Sequence, residues 1–304
     1  MKKSVEPAPV PAFGLYGEGE QWPIPDLLHC ETIAHRSQQY NWEIKPHRHH
    51  AATQLLYLAT GRASARLDDA DEVLVAPCLV VAPELCIHAF RFNQPLVGQR
   101  VSGYVITMAA ALIQQLWAAP GSYFADLREP AVLPLTDAPA LATTLVEQLA
   151  HEYAHPQTGR EAMVLALASA LLLAVARLGS AVGRAAPHRR DRKAEHFASF
   201  TALVERHYRS HKPLPDYARE LGITTTFLNE VCRKCSGHSA LQIIHRRLLL
   251  EARRNLVYTA MSVSAVADQL GFADPAYFTR FFTRGSGQSP GAFRQRFRQL
   301  PPYG

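Results

Sequence analysis

The pattern of apolar and polar positions divides the chain into parts of different character. From about residue 27 to residue 106, short apolar or alternating runs are separated by turn residues. The clearest runs occupy residues 54–59, 62–67, 72–75, 79–82 and 87–92. Their length and spacing are typical of short antiparallel strands in a small barrel or sandwich. After residue 108 the apolar positions recur every three or four residues, which predicts helices over 109–118, 141–153 and 161–178.

Two segments without such periodicity predict the domain boundaries. Residues 1–25 are rich in Pro and Gly, and we expect them to form an extended arm. Residues 184–195 are charged and have no regular apolar spacing, which predicts a linker. The predicted organisation is therefore an arm (1–25), a first domain (26–183), a linker (184–195) and a second domain (196–304).

The second domain contains an internal repeat. Residues 218–223 are echoed by residues 267–272, 49 positions later, whereas Gly237 is echoed by Gly287, 50 positions later. The difference of one residue predicts an insertion in the intervening turn or at the start of the helix that follows it. Repetition over this length predicts a domain built twice from one supersecondary unit.

Each copy of the repeat predicts a short helix, a tight turn and a second helix. The short helices are expected over residues 215–221 and 263–270. Both turns carry a glycine and both second helices begin at a capping residue: Gly222 and Thr224 in the first copy, Gly271 and Asp274 in the second. Two helices joined by such a turn can place the second one in the major groove of DNA.

The second helix of each copy presents polar side chains opposite its apolar face. Arg can bind guanine there, and Asn can bind adenine, each through a pair of hydrogen bonds. The residues expected to face DNA are Thr225, Thr226, Asn229, Glu230 and Arg233 in the first copy, and Ala276, Thr279 and Arg280 in the second. A long amphipathic helix between the copies carries Arg246, Arg247, Arg253 and Arg254 on or beside its polar face, of which Arg253 and Arg254 are expected to bind DNA.

The distribution of charge agrees with a nucleic-acid partner. The formal net charge is +6. Residues 196–304 contain 15 Lys and Arg against 7 Asp and Glu, whereas residues 1–195 contain 17 against 19. A concentrated basic surface is expected of a protein that binds the phosphate backbone. A solvated basic face, or a helical dimerisation domain with incidental basic residues, is the alternative.

Residues 213–298 resemble the DNA-binding domain of the AraC/XylS family of transcription regulators. The resemblance rests on residues 267–272 (ADQLGF), 277–282 (YFTRFF) and 287–294 (GQSPGAFR). The sequence departs from the family pattern at Thr283, where a basic residue is usual, and at Gly285, where a helix former is common. The resemblance implies a cytoplasmic, homodimeric transcription regulator whose partners are promoter DNA and RNA polymerase.

The first domain resembles the sensor of the same family, which is a cupin-like β-barrel. The matching segments are residues 46–50, 54–61 and 76–83, followed by His88. The implied fold class is α+β: an N-terminal cupin-like β-barrel with accessory helices, which senses a ligand and dimerises, and a C-terminal all-α domain with two helix-turn-helix units joined by a long helix.

The barrel resemblance also raises the question of a metal. In metal-binding cupins, two His and a Glu of the first motif join a His of the second. His47, His49 (or His50) and His88 occupy such positions, but no carboxylate does, and Gln54 is the nearest polar residue. We therefore expect hydrogen-bonding histidines, no metal or other cofactor, and no enzymatic activity. The alternative is a metal-dependent cupin enzyme fused to a DNA-binding module.

Within the family, the sensor resembles activators that respond to 4-hydroxybenzoate, through residues 13–18, 26–31, 46–58 and 86–92. An aromatic acid of this kind needs a cation for its carboxylate, an apolar slot for its ring and a polar partner for its hydroxyl. The candidates are Arg91, Arg62 or Arg36 for the first, Tyr57, Phe90, Phe92 and Leu56 for the second, and His47, His49 or His88 for the third. A regulator responding to another small molecule is the alternative.

The cysteines and the most apolar stretch indicate a cytosolic protein. The five cysteines are scattered, and residues 1–11 show no signal-peptide pattern, so we expect reduced thiols. Cys232 and Cys235 form an isolated CxxC, and Cys232 falls at a helical core position. The apolar stretch 162–176 is shorter than the ~20 residues that span a bilayer. We interpret it as a buried helix that covers the barrel or contacts a second subunit.

Overall fold

The computed structural model describes residues 12–13, 27–38, 40–49, 51–92, 100–117, 127, 129–135, 140–155, 157–181 and 192–298. Within these ranges an N-terminal sheet-rich domain is followed by a C-terminal helical domain, as the α+β class requires. The remainder of the predicted arm and residues 184–191 of the predicted linker lie outside the described residues.

The strands of the N-terminal domain form two five-stranded sheets. The first sheet contains, in spatial order, β1 (Ala12–Phe13), β3 (Glu43–His49), β8 (His88–Phe92), β5 (Arg62–Leu67) and β6 (Ala70–Val75). The second contains β10 (Ala131–Pro134), β7 (Cys78–Ala82), β4 (Ala52–Thr60), β9 (Ser102–Ala109) and β2 (Leu28–Thr32). The strand pairs are antiparallel except β1 with β3. The predicted barrel thus takes the form of two sheets that do not close.

Side-chain alternation explains how the sheets pack. In β5, Ala63, Ala65 and Leu67 are buried, while the residues between them are exposed, because one face meets the core and the other meets water. Strand β4 is buried on both faces. Its Leu56 and Leu58 join the core between the sheets, whereas Leu55 and Tyr57 face a second core formed with helices.

Among the residues that the structure describes, the N-terminal part contains four α-helices. They are α1 (Ile33–Gln38), α2 (Ala110–Trp117), α3 (Ala140–Ala154) and α4 (Arg160–Ala181). Helix α4 has 22 residues and, by length and composition alone, could cross a membrane, which corrects the expectation of a stretch too short to do so. In this fold its Val164, Ala168 and Leu171 pack into the helix-covered core, while Met163 and Leu165 are exposed.

The C-terminal domain consists of seven α-helices among the described residues. They are α5 (Arg192–His207), α6 (Leu214–Glu220), α7 (Thr225–Ser236), α8 (Ala240–Tyr258), α9 (Val263–Gln269), α10 (Pro275–Ser286) and α11 (Pro290–Arg298). Helix α5 begins at Arg192, inside the predicted linker, and its Phe197 and Phe200 are completely buried in the domain core. The domain therefore starts four residues earlier than predicted.

The repeat is reproduced in the helix boundaries. Helices α6 and α9 begin 49 residues apart, at Leu214 and Val263, and α7 and α10 begin 50 residues apart, at Thr225 and Pro275. The extra residue lies in the second turn, where Ala273 separates Phe272 from the capping residue. The inserted residue leaves both helix pairs intact.

Candidate DNA-binding surface and histidine cluster

The two turns share backbone geometry but differ in surroundings. Gly222 and Gly271 adopt φ angles of 66° and 77°, a left-handed conformation that L side chains rarely adopt. A Cβ atom at Gly222 would meet nothing within 4 Å, whereas one at Gly271 would lie 2.0 Å from the Arg209 carbonyl oxygen. The second turn is therefore packed against the 3-10 turn Tyr208–Ser210 that follows α5, and glycine is required there for space as well as for conformation.

Both second helices begin at a side-chain cap. The Thr224 hydroxyl accepts a hydrogen bond from the Phe227 amide, and the Asp274 carboxylate accepts from the amides of Ala276 and Tyr277. Both helices end at a left-handed glycine, Gly237 or Gly287. The two units are thus capped alike, as the repeat predicts.

Helix α7 exposes part of the predicted contact surface. Thr226, Glu230 and Arg233 are exposed and Thr225 is half-buried. The Glu230 carboxylate is 2.5 Å from the Lys193 ammonium group, and this hydrogen bond lowers the pKa of Glu230. A base or phosphate that contacts Glu230 therefore meets an ion pair rather than an isolated carboxylate.

Asn229 does not present its amide to the solvent, contrary to the sequence-based expectation. Its Nδ2 donates to the Thr225 carbonyl oxygen at 3.1 Å, and its Oδ1 accepts from the Ala240 amide at 3.1 Å. Ala240 is the first residue of α8, so Asn229 connects α7 to the start of the connecting helix. Its amide is engaged on both sides, which makes it a structural residue.

On helix α10, Ala276 and Arg280 are exposed and Thr279 is half-buried. The Thr279 hydroxyl donates to the Pro275 carbonyl oxygen at 2.9 Å. Tyr277, which the sequence-based reasoning did not assign to DNA, is 55% exposed, and the Arg280 guanidinium lies 5.8 Å from its ring centroid. Tyr277 was not assigned to DNA from the sequence because aromatic residues of this helix were expected in the core.

The arginines of α8 have three different environments. Arg247 is buried, donating to Glu205 and Glu251, so its expected place on the polar face is wrong. Arg254 donates to Glu161 of α4 at 2.5 Å, which connects the connecting helix to the N-terminal domain. Arg253 lies 5.9 Å from the Phe293 ring, and Arg246 is exposed. Arg246 and Arg253 are the candidates of this helix for phosphate contacts.

Three of the predicted ligand residues converge between the two sheets. The side chains of His47, His49 and His88 are 3%, 2% and 0% exposed. Their ring centroids are 4.3 Å apart for His47 and His88, 5.2 Å for His47 and His49, and 5.3 Å for His49 and His88. His47 and His49 lie two residues apart on β3, and His88 pairs with His47 across the ladder to β8, so strand geometry directs all three to one face.

Neighbouring polar and aromatic groups complete this histidine cluster. Gln54 Nε2 lies 3.3 Å from His49 Nε2 and donates to the Thr107 hydroxyl at 3.2 Å. The Phe90 ring is 5.8 Å from that of His88. Burial lowers the pKa of His47 and lowers that of His88 well below its usual value, with the neighbouring charges of the cluster and of Arg36 contributing. The rings of His47 and His88 are therefore neutral at pH 7. His50 lies outside the described residues.

The structure separates the other predicted ligand residues from the histidine cluster. Arg91 alternates with the buried Phe90 and Phe92, so it is exposed on the outer face and pairs with Glu43 at 2.9 Å. Arg62 is exposed on the outer face of β5. Tyr57 is buried on the opposite face of its sheet, in the core that faces the helices. Neither these cations nor this ring joins the cluster, because alternate residues of a strand point to opposite faces.

Arg36 is the third arginine that the sequence offers as a partner for the ligand carboxylate. It lies on α1, its side chain is 22% exposed, and it is 3.5 Å from Glu31. Its positive charge contributes to the lowered pKa values of His47 and His88. Of the three candidate arginines, Arg36 is therefore the one whose charge reaches the histidine cluster.

The loop between β7 and β8 connects the histidine cluster to the C-terminal domain. The Leu85 amide donates to the His49 carbonyl oxygen at 2.8 Å, and the Leu85 side chain packs against the core of the C-terminal domain. Beside it, burial raises the pKa of Glu84 to about 8, with a further contribution from Glu205 of α5. On the neighbouring strand, Arg48 donates to the Lys234 carbonyl oxygen at 2.7 Å.

The CxxC of helix α7 belongs to the core of the domain. Cys232 and Cys235 are both buried, with Cys232 completely so. Burial raises the pKa of the Cys232 thiol to about 12. Because the thiolate is the form that binds metals and reacts, this position favours packing over chemistry.

Residues 217–296 match the protein-family model described as "Helix-turn-helix domain". The matched range includes both glycine turns and both capped helices. It runs from within α6 to within α11, so it leaves out α5 and all of the N-terminal sheets.

Several curated relatives are regulators of transcription. The chain is 31% identical over 100 residues to the HTH-type transcriptional regulator ExsA of Pseudomonas aeruginosa, covering 33% of this chain and 36% of that protein. It is 31% identical over 124 residues to the virulence regulon transcriptional activator VirF of Yersinia enterocolitica, covering 41% and 45%. It is 28% identical over 160 residues to the HTH-type transcriptional activator RhaR of Klebsiella pneumoniae, covering 52% and 56%. The chain thus spans between about a third and just over half of these proteins.

Two solved structures are partly similar. One is ToxT from Vibrio cholerae bound to (E)-4-(8-methylnaphthalen-1-yl)but-3-enoic acid, with 10% identity over 90% of this chain and 100% of that one, and a TM-score of 0.40. The other is the DNA-binding domain of AdpA in complex with a target DNA, with 27% identity over 38% of this chain and 100% of that one, and a TM-score of 0.33. From the repeat, the turn geometry and the family match, the C-terminal domain is a helix-turn-helix domain.

Proposed function

We propose that the chain is a ligand-responsive, sequence-specific DNA-binding transcription regulator of the AraC/XylS type, and that it activates genes of aromatic-acid catabolism. DNA binding is supported by the duplication of one capped helix-turn-helix unit. The single helix α8 connects the two copies. Two such units on a rigid connector suit two successive major grooves on one side of the duplex, about 34 Å apart. The location that follows is the cytoplasm, with promoter DNA and RNA polymerase as partners and a homodimer as the working form.

Specific DNA binding is tested by selecting sites from a random duplex library with the full-length protein. We expect enrichment of a site with two short conserved blocks separated by one helical turn, and affinity that falls steeply as salt rises. Failure to enrich any sequence, together with no binding at low salt, would contradict DNA recognition.

For the effector, we propose an aromatic carboxylate of the 4-hydroxybenzoate kind that binds between the sheets. Phe90 and Phe92, whose rings are stacked with centroids 6.1 Å apart, supply an apolar wall. The histidine cluster supplies partners for a hydroxyl, and Arg36, whose positive charge contributes to the lowered pKa values of His47 and His88, supplies the cation. A regulator of the same type that responds to a different small molecule is the alternative.

Matched arginine variants test this proposal by calorimetric titration with a panel of aromatic acids. Arg36→Ala should weaken binding of the acid by roughly 10- to 100-fold, because a hydrogen bond to a charged group contributes about 1.5–3 kcal/mol. Arg91→Ala, which removes an exposed cation from the outer face, is the control and should leave affinity unchanged. Saturable binding of a non-aromatic ligand in place of these acids would favour the alternative.

An enzymatic role has a direct test as well. We expect the purified protein to show no turnover of its effector, because no sequence motif for catalysis accompanies the histidine cluster. Conversion of a bound acid by the full-length chain would favour a cupin enzyme fused to a DNA-binding module.

A further inference from the structure

The histidine cluster has the donor set of a metal site. Strand β3 places the imidazoles of His47 and His49 on one face, and His88 of β8 lies opposite His47. One ligand nitrogen from each ring lies within 4.8 Å of the others. Nitrogens about 2.0–2.1 Å from a tetrahedral zinc are roughly 3.4 Å apart, so modest side-chain rotation brings the three into a coordination sphere.

Hydrogen bonds on the far side of two rings prepare them for this role. His47 Nδ1 is 2.9 Å from the Lys45 carbonyl oxygen, and His88 Nδ1 is 3.0 Å from the Cys86 carbonyl oxygen. A carbonyl only accepts, so each Nδ1 carries the proton, and in the neutral ring each Nε2 is the nitrogen that bears the lone pair a metal would bind. Orientation of an imidazole by a backbone carbonyl is the usual outer-shell arrangement of metal-binding histidines.

A second observation points to a missing partner. His88 is 0% exposed, and within the described part of the chain its Nε2 has no hydrogen-bond partner. A buried polar atom without a partner is energetically costly, and a bound ion at this position would supply the partner. The atom belongs to the ring that sits closest to His47 in the cluster.

We propose that His47, His49 and His88 bind one divalent first-row transition-metal ion, such as zinc. Imidazole nitrogens suit zinc, iron, nickel and copper, whereas the cluster offers no carboxylate for the calcium or magnesium type of site. Three protein ligands leave at least one position for water or for an oxygen atom of a small molecule. This departs from our sequence-based expectation, because spacing alone could not show that the three nitrogens converge.

The proposal does not depend on DNA binding and is tested without DNA. Full-length protein is stripped with a chelator, dialysed and titrated with Co²⁺, whose visible absorption reports the number of nitrogen ligands and the geometry. We expect one tightly held equivalent, a spectrum of low coordination number and a Tm that rises with added metal. Binding of less than about a tenth of an equivalent of Co²⁺ per chain, with no change in Tm, would overturn the proposal.

Matched histidine variants separate this site from adventitious binding. His151 lies in the last turn of α3 and His155 directly follows the helix; both are exposed, and their ring centroids are 4.4 Å apart. The double variant His151→Ala/His155→Ala should keep the tight equivalent, whereas His88→Gln should lose it. Loss in the surface double variant with retention in His88→Gln would assign the metal to α3 and refute the proposal.

Gln54 gives a test that does not depend on removing a buried ring. Its amide lies 3.3 Å from His49 Nε2, so Gln54→Glu places a carboxylate beside the cluster. We expect this variant to bind metal at least tenfold more tightly than the parent protein, with an altered Co²⁺ spectrum. An unchanged affinity and spectrum would mean that the ion is bound elsewhere.

Discussion

Single residues on the two second helices divide into those that build the fold and those left for recognition. Asn229 makes two hydrogen bonds, one of which joins α7 to α8. The Arg280 side chain, in contrast, is 66% exposed, and its ion pair with Asp274 is long, at 3.7 Å. Asn229→Ala should therefore lower the free energy of unfolding by about 1–2 kcal/mol and leave the base preferences of the protein unchanged. Denaturant unfolding and competition binding to the selected site and its point variants measure these two effects.

Arg280→Ala should show the opposite behaviour at the same scale. We expect a Tm close to that of the parent protein and a loss of about 1–3 kcal/mol in binding to the selected site, with relaxed preference at one base pair. If this variant keeps both affinity and base preference, the outward face assigned to α10 is wrong.

Strand alternation at individual residues shows what the sequence could and could not reveal. Arg91 stands between Phe90 and Phe92, so the two-residue period already places it on the opposite face of the sheet from those two rings. The same argument separates Tyr57 from Leu56. The role of Arg36 could not be derived in this way, since it depends on how helix α1 packs against β2 and β9.

Among the secondary-structure elements, the two turns offer an internal comparison. Gly222→Ala should destabilise the domain by about 1–2 kcal/mol, the cost of a left-handed conformation for a residue with a Cβ atom. Gly271→Ala should cost about 1–3 kcal/mol more, because the added atom collides with the Arg209 carbonyl oxygen. Thermal unfolding of the two variants measures the difference, and equal effects would contradict the packing of the second turn against the 3-10 turn that follows α5.

The helix-turn-helix units were predictable at the level of elements because caps, glycines and apolar spacing agree within each copy. Helix α5 was not, since its first turn is charged and its apolar residues start only at Phe197. Gly285, where the sequence departs from the pattern of the family it resembles, lies against the end of the Leu249 side chain. A Cβ atom at this position would lie 2.8 Å from the Leu249 side chain.

For the whole molecule, the loop that carries Glu84 and Leu85 connects the two domains. Its residues resemble an ordinary turn in sequence, so the contact with α5 could not be predicted. The pKa of Glu84 is raised from 4.5 to about 8, so between these values the folded state keeps a proton that the unfolded chain releases. The free energy of unfolding should therefore fall as pH rises from about 5 to 8.

Glu84→Gln tests this interface. The variant should have a higher Tm than the parent at pH 8, where the parent carries a partly ionised carboxyl group near Glu205, and a shallower fall in Tm between pH 5 and 8. Glu72→Gln, which changes an exposed carboxylate of β6, should leave the pH dependence as it is. Identical pH profiles for Glu84→Gln and the parent protein would contradict the buried, protonated state of Glu84.

The central claim is that the two helix-turn-helix units enter successive major grooves on one side of the duplex. Hydroxyl-radical footprinting of the full-length protein on its selected site measures this directly. We expect two protected patches on the duplex, with centres about 10 base pairs apart. Arg233→Ala should weaken protection of one patch, and Arg280→Ala should weaken protection of the other. A single patch that both variants weaken equally would contradict the central claim.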